Sequence, residues 1–202
     1  MNKPDIEFHG FSKIARWKRD VIVTEKIDGT NATVYIDGSG QIFAASRNRW
    51  ITPADDNYTF AQWVDAHKAE LLLLGPGWHR GEWWGNGIQR GYGEEAKRFS
   101  LFNVSRYCNY DQIPTVTVSR DPKVAPFTQI VMPPCVRLVP VLYSGPNDAN
   151  EIAKCLLNLG IDGSRAAPGF MKPEGIVIYH PAANVYFKQT IENDDKQKGQ
   201  TV

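Results

Sequence analysis

Two stretches near the start of the chain, residues 21–27 and 32–36, concentrate Val, Ile, Thr and Tyr on either side of Asp28-Gly29-Thr30-Asn31. β-Branched and aromatic side chains suit a pleated, half-buried surface, so the pattern predicts two strands around a tight turn. A second turn, Asp37-Gly38-Ser39-Gly40, leads into residues 41–46 and extends a meander. From Thr59 the period changes. Phe60, Trp63, Val64, His67, Leu71 and Leu74 recur at helical spacing, with Thr59 in the N-cap position and Gly75-Pro76-Gly77 as the stop. Residues 98–104 read as a strand, and residues 150–159 as a helix stopped by Gly160. Seven of the thirteen prolines fall between positions 114 and 146, which predicts irregular chain with short edge strands near 116–118 and 136–142. Residues 174–179 and 184–189 form a hairpin around 180–183. The predicted class is α+β, mainly antiparallel sheet with helices on one side.

Composition narrows the field. The 202 residues, 42% hydrophobic and 22% charged, are enough for one soluble domain with a sizeable core. Lys and Arg number 23 against 22 Asp and Glu, so a nucleic-acid partner has to be met by a local patch and not by the field of the whole molecule. The first twenty residues scatter charge where a secretory signal would be apolar, and the longest aliphatic run, residues 71–74, is far short of the roughly 20 residues of a membrane span. Cys108, Cys135 and Cys155 are odd in number and widely spaced, which predicts free thiols and a cytoplasmic protein. The four histidines show no zinc spacing.

Several short segments could carry chemistry. Lys26 stands at a strand end beside a tight turn and would present its amine to whatever cleft the turn lines; read singly, it is a solvated strand lysine before a hairpin. Arg47 and Arg49 follow the next strand, where a guanidinium fork could bind two phosphate oxygens. Residues 81–93 hold five glycines and the adjacent Trp83 and Trp84, without Walker or dinucleotide spacing; their glycines would allow close backbone approach, with Glu82 free to bind a ribose hydroxyl. Glu174 and Lys188 fall at the open end of the last hairpin, where they could form a cross-strand ion pair or contribute to a polyphosphate and cation site.

Taken in order, Lys26-Ile27-Asp28-Gly29-Thr30-Asn31, Ser46-Arg47-Asn48, Gly81-Glu82-Trp83-Trp84-Gly85, the run 98–104, Glu174-Gly175-Ile176-Val177 and Phe187-Lys188 resemble motifs I, Ia, III, IIIa, IV and V of the covalent nucleotidyltransferase superfamily, the polynucleotide ligases and mRNA capping enzymes. Within it the chain is most similar to ATP-dependent RNA ligases of the RNA-ligase-2-like group. The resemblance implies an ATP-grasp-like ligase adenylation domain over 1–202, with too few residues after Lys188 for a C-terminal accessory domain. It also implies a lysyl-AMP intermediate on Lys26, transfer of AMP to a 5′-phosphate, and sealing to a 3′-hydroxyl in cytoplasmic RNA repair. By the same resemblance Glu82 binds ribose, Phe102 (or Phe99) stacks on adenine, Arg47 contacts the nucleotide or the phosphate to be sealed, and Lys188 contacts the α-phosphate. Glu25, Asp28 and Asn31 flank the lysine as further nucleotide contacts. Glu174 holds Mg²⁺ or Mn²⁺, a choice that suits oxygen ligands and a polyphosphate. A free lysine amine titrates near about 10.4, so the site has to favour its neutral form, and Lys188, Arg47 and the bound ion would supply the cationic field.

The chain departs from the family pattern at Thr190, where a second motif V lysine is common and Lys172 or Lys196 would substitute, and at Asn103, where Asp is common. Implied partners are ATP and RNA ends or a nicked duplex, with an accessory protein to add grip. Arg80, Arg90, Lys97, Arg98 and Arg106 interleave with Trp83, Trp84 and Tyr92, a pattern that suits a strand-binding groove. Alternatives on the same core are a DNA ligase, a GTP-dependent capping-type enzyme, or a decayed module that binds nucleotide or RNA ends.

Overall fold

The computed structural model describes residues 13–104 and 132–192, positions 7, 9–11 and 194, and the backbone of Thr117–Val118 and Gln129–Ile130. The early strands form where the pattern predicts, as β1 (Asp20–Lys26), β2 (Thr30–Ile36) and β3 (Ile42–Ala45), joined by a short β4 (Trp50–Ile51) that it does not predict, but they do not make one meander. The β1 and β2 runs do not pair with each other. The Asp28-Gly29 turn carries the chain from one sheet into another. A four-stranded sheet orders as β10-β1-β11-β12, and a six-stranded sheet as β4-β3-β2-β5-β6-β9. The remaining strands are β5 (Gly77–Gly85), β6 (Lys97–Leu101), the short pair β7 (Thr117–Val118) and β8 (Gln129–Ile130), β9 (Val136–Leu138), β10 (Val141–Pro146), β11 (Gly175–His180) and β12 (Val185–Thr190).

Alternation along the strands builds three core layers. Ala32, Val34 and Ile36 on β2 share one face with Trp83, Phe99 and Leu101, and pack on Phe60, Ala61 and Val64 of a helix. Val21, Val23, Ile176 and Ile178 face Leu159 on the far side of the other sheet. Between the two sheets lie Ile22, Ile27, Trp84, Tyr92, Val104, Val139 and Ala167. Each sheet therefore has its own helical cover, in place of helices gathered on one side. Both tryptophans of the Trp83-Trp84 pair are buried, on opposite faces of β5, because both faces of that strand are covered there.

The helices differ from expectation at their ends. The run from Thr59 forms α1 (Phe60–Ala66), α2 (Lys68–Leu71) and a 3₁₀ turn over Leu72–Leu74. Thr59 does not cap it. That residue sits at φ 65° with no side-chain cap bond, and Asp56 instead accepts from the backbone N–H groups of Ala61 at 2.8 Å and Gln62 at 3.0 Å. The later helix, α3 (Ala149–Asp162), runs through Gly160 and stops at Gly163, with Asp148 capping its start. The expected strand near 136–142 divides at Val139 and Pro140. Its first half, β9, pairs parallel with β6 at the edge of one sheet, and its second half, β10, pairs with β1 at the edge of the other. Cys135 and Cys155 are free, while Cys108 lies outside the described residues. No helix among the described residues is long and apolar enough to cross a membrane.

Candidate active site

Lys26 is the last residue of β1 and pairs in register with Gly175, the first of β11. That register brings Glu174, one residue before β11, alongside the lysine: Lys26 Nζ donates to Glu174 Oε2 at 2.5 Å. Both side chains are mostly buried between the strand ends. The hairpin of β11 and β12 forms around the expected turn, but Lys188 lies opposite Val177 and not beside Glu174. The partner of Glu174 is therefore Lys26, on the neighbouring strand of the same sheet, and the cross-strand Glu174–Lys188 pair is absent.

Glu82 approaches from the six-stranded sheet. Its Oε1 accepts from the Gly29 N–H at 3.1 Å and its Oε2 from Asn31 Nδ2 at 3.1 Å, so the β5 carboxylate holds the turn after Lys26. Glycine is required at position 29. A Cβ there would stand 2.5 Å from the Trp83 carbonyl oxygen and 2.8 Å from Trp84 Cβ, so the turn can lie flat on β5 only without one. Burial pushes the Glu82 carboxyl up to about 7; Lys26 and the two hydrogen-bond donors pull it down, and Glu174 pushes it further up. Lys26, Glu174 and Glu82 thus act on one another electrostatically as one cluster.

Arg90 and Tyr92 clamp the same turn, a role the sequence pattern did not reveal. Tyr92 Oη accepts from the Asp28 N–H at 2.9 Å, and Arg90 Nε donates to Asp28 Oδ2 at 3.1 Å. Arg90 Nη1 also donates to the Lys172 carbonyl at 2.9 Å. One guanidinium therefore ties the turn after Lys26 to the segment entering Glu174. The partners are 62 and 82 residues away in the chain, which no local spacing signals. Asp28 is committed to this clamp.

Glu25, expected as a nucleotide contact, is placed elsewhere. Strand alternation turns it to the face opposite Lys26, where it is 1% exposed. Its oxygens accept from Ser164 Oγ at 2.6 Å, Arg165 N at 2.8 Å and Ala166 N at 2.9 Å. Burial raises its carboxyl above the ordinary value, against the lowering effect of these donors. Its role is to anchor the 164–166 loop.

The remaining expected residues lie around the cleft between the sheets. Arg47 is exposed at the tip of the β3–β4 turn. Lys188 is exposed on the row Thr24, Val177, Lys188, the face of the four-stranded sheet that carries Lys26. Of the two stacking candidates, Phe99 is fully buried against Phe60 and Trp63, while Phe102 is 37% exposed just beyond β6, with its N–H bonded to the Arg80 carbonyl. On β12, burial and Tyr179 push the Tyr186 phenol up and Arg80 pulls it down. Thr190 lies in the row of Lys26 and Gly175, where its N–H and Oγ–H bond Asp194 Oδ1 and its Oγ–H also bonds the Glu192 carbonyl. Lys172 is exposed; Lys196 lies outside the described residues.

Among the described residues, most members of the expected strand-binding pattern are otherwise engaged. Trp83, Trp84 and Tyr92 are 1%, 0% and 3% exposed, Arg90 is spent on Asp28, and Arg98 is paired with Glu94 at 2.5 Å. Arg106 lies outside the described residues. As for a metal, no trio of His, Cys, Asp or Glu converges among the described residues. An Mg²⁺ or Mn²⁺ ion binds through one or two carboxylates with phosphate and water completing its shell, and Glu174 beside Lys26 fits that manner of binding.

A family profile described as RNA ligase matches residues 19–192. No curated protein sequence matches the chain at a significant level. Among solved structures, a Naegleria gruberi RNA ligase mutant without ligand superimposes with a TM-score of 0.55 at 23% identity, covering 87% of this chain and 50% of that one. A mutant of the same ligase with AMP and Mn matches with a TM-score of 0.55 at 23% identity over 86% of this chain and 50% of that one. Another, with ATP and Mn, gives 0.55 at 22% over 86% and 49%. The chain spans about half the length of these solved relatives, and at this identity they establish the shared fold. With the profile covering Lys26, Glu82, Glu174 and Lys188 together, the chain belongs to the RNA ligase family.

Proposed function

We propose that the chain is an ATP-dependent RNA ligase that works through a covalent lysyl-AMP on Lys26. The observation that carries this is the convergence of the Lys26 amine, Glu174 and Glu82 from three distant segments on one spot at the mouth of the cleft. In the first step the neutral Lys26 amine attacks the α-phosphorus of ATP. The N–P bond forms as the bond to the bridging oxygen breaks, pyrophosphate departs, and the amine proton passes to solvent. The AMP is then transferred to a 5′-phosphate, and a 3′-hydroxyl displaces it to seal the strand. Positioning and electrostatics dominate such transfers.

Each residue has a part in that scheme. Glu82, held by Gly29 and Asn31, would accept a hydrogen bond from the ribose; Phe102, exposed beyond β6, would stack on the adenine; Lys188 and Arg47 would contact phosphates. Glu174 would hold the divalent cation, whose charge offsets that of the phosphates. At rest Glu174 instead holds the Lys26 ammonium, so nucleotide and metal would have to exchange this ion pair for their own contacts. Glu25, Asp28, Arg90 and Tyr92 would act through the loops they fix. The setting proposed is RNA repair in a reducing cytoplasm, where Cys135 and Cys155 stay free.

The test is labelling with α-³²P ATP and with GTP, followed by a chase with nicked RNA, nicked DNA and single-stranded substrates. An RNA ligase gives an ATP-specific labelled band reversed by pyrophosphate, and sealed RNA. A GTP-specific band would indicate a capping-type enzyme. Preferential sealing of DNA would indicate a DNA ligase, and bound but uncoupled ATP a decayed module.

A further inference from the structure

The interleaved aromatics expected around Trp83 and Trp84 are core, yet a different aromatic group stands exposed on the cleft-side face of the six-stranded sheet. Tyr35 pairs in register with Phe43 on one side and with Trp78 on the other, and Ala45 pairs with Trp50. The rings touch as one surface: Tyr35 to Trp78 at 4.5 Å, Trp50 to Trp78 stacked at 5.5 Å, and Phe43 to Trp50 at 5.9 Å between centroids. Trp50 and Trp78 are each 52% exposed and Phe43 is 42% exposed. Single exposed aromatics are ordinary, but a contiguous group drawn from four strands of a sheet is a binding feature.

Its position and charge identify the occupant. On β5 the residues facing this side run Glu82, Arg80, Trp78, so the surface begins four residues from the ribose-side carboxylate, about 13 Å along a strand. The Arg80 guanidinium lies 5.7 Å over the Trp78 ring, between the rings and the site. Along the rows Asn31, Thr33, Tyr35 and Glu82, Arg80, Trp78, Glu82 is the one carboxylate. Arg47 stands in the turn that leads to Trp50. Flat rings with a guanidinium at the edge nearest the nucleotidyl-transfer site match the chemistry of unpaired nucleobases on a phosphate backbone. A lipid or protein surface would have no use for the continuity with Glu82.

We infer that Tyr35, Phe43, Trp50 and Trp78 form a stacking platform for unpaired bases of the RNA strand whose end is at Lys26, with Arg80 bridging platform and site. The inference rests on the ligase reading and deepens it. At 3.4 Å per stacked nucleotide the platform meets bases about four nucleotides from the reacting end. The protein therefore favours single-stranded or overhanging ends over blunt, fully paired ones.

The test measures binding of a 5′-phosphorylated single-stranded RNA octamer by anisotropy and by quenching of tryptophan fluorescence, beside ATP self-labelling. Trp50→Ala and Trp78→Ala are each expected to weaken octamer binding about tenfold, and together about a hundredfold, with self-labelling within about twofold of wild type. Phe at both positions, which keeps a flat ring, should restore most of the affinity. Octamer binding unchanged in the double alanine variant overturns the platform, as does an equal loss for a blunt duplex. If wild type self-labels but binds no octamer, the platform fails while the ligase reading stands. If wild type neither self-labels nor binds RNA, the ligase reading fails and the platform with it.

Discussion

Glu82 sits where two demands conflict: it has to accept from Gly29 and Asn31, and it does so beside Glu174 and largely out of water. Its folded-state value of about 7 lies above the ordinary 4.5. Between those values the folded protein keeps a proton that the unfolded chain releases, so this group's contribution is fully present below about pH 4.5 and is lost as pH rises through about 7. The cost above neutrality is up to about 3 kcal/mol. Glu82→Gln should remove most of that pH dependence, so that the variant equals wild type near pH 4.5 and exceeds it at pH 8. Urea titrations of the nucleotide-free protein at both values check this; parallel pH profiles would contradict it. Self-labelling should fall in the same variant, because the amide offers a weaker acceptor to a ribose hydroxyl. Arg90→Lys is a second residue-scale prediction. A lysine cannot hold Asp28 and the Lys172 carbonyl with one planar fork, so the variant should lose about 1.5–3 kcal/mol of stability and label more slowly.

At the scale of elements, local chemistry sets the strands and their turns, and long-range packing sets which strands meet. Lys26, Glu82 and Glu174 could be named as candidates from the sequence because each sits in a short segment with turn or glycine chemistry of its own. The 2.5 Å contact of Lys26 with Glu174 was not legible there, because it spans 148 residues and depends on the β1–β11 register. Phe99 is buried inside β6, which is covered on both faces there, while Phe102 is exposed just past the strand end, a difference visible only once the covered faces are known. Glu25 next to Lys26 illustrates the same rule: adjacent strand residues face opposite sides, so one enters the cleft and the other anchors a loop. The helix starts at Phe60, as the pattern predicts, but Thr59 only matches a cap pattern while Asp56 supplies the bonds. Asp56→Ala should therefore destabilise the protein by about 1 kcal/mol, and Thr59→Ala by much less, in a denaturant comparison.

For the molecule as a whole, a formal charge of +1 leaves little long-range attraction for RNA. Under the proposed function, Arg47, Arg80 and Lys188 near the cleft and the exposed rings would supply the grip among the described residues. Sealing should therefore weaken with added salt by the slope of a few phosphate contacts, while self-labelling with ATP changes little. Equal salt sensitivity of the two reactions would contradict a cleft-local grip. The two-sheet architecture explains why these residues share a cleft. Lys26 and Lys188 come from one sheet, Glu82 and Arg80 from the other, and Trp84 and Ile22 fill the core where the sheets meet.

The central claim is that Lys26 is the nucleophile, and peptide mass spectrometry of the protein after incubation with ATP and Mg²⁺ tests it most directly. The account predicts a single AMP on the peptide containing Lys26, removed by pyrophosphate, absent from Lys26→Ala, and strongly reduced in Glu174→Ala. An AMP on another lysine, or a Lys26→Ala protein that labels as wild type does, would contradict it.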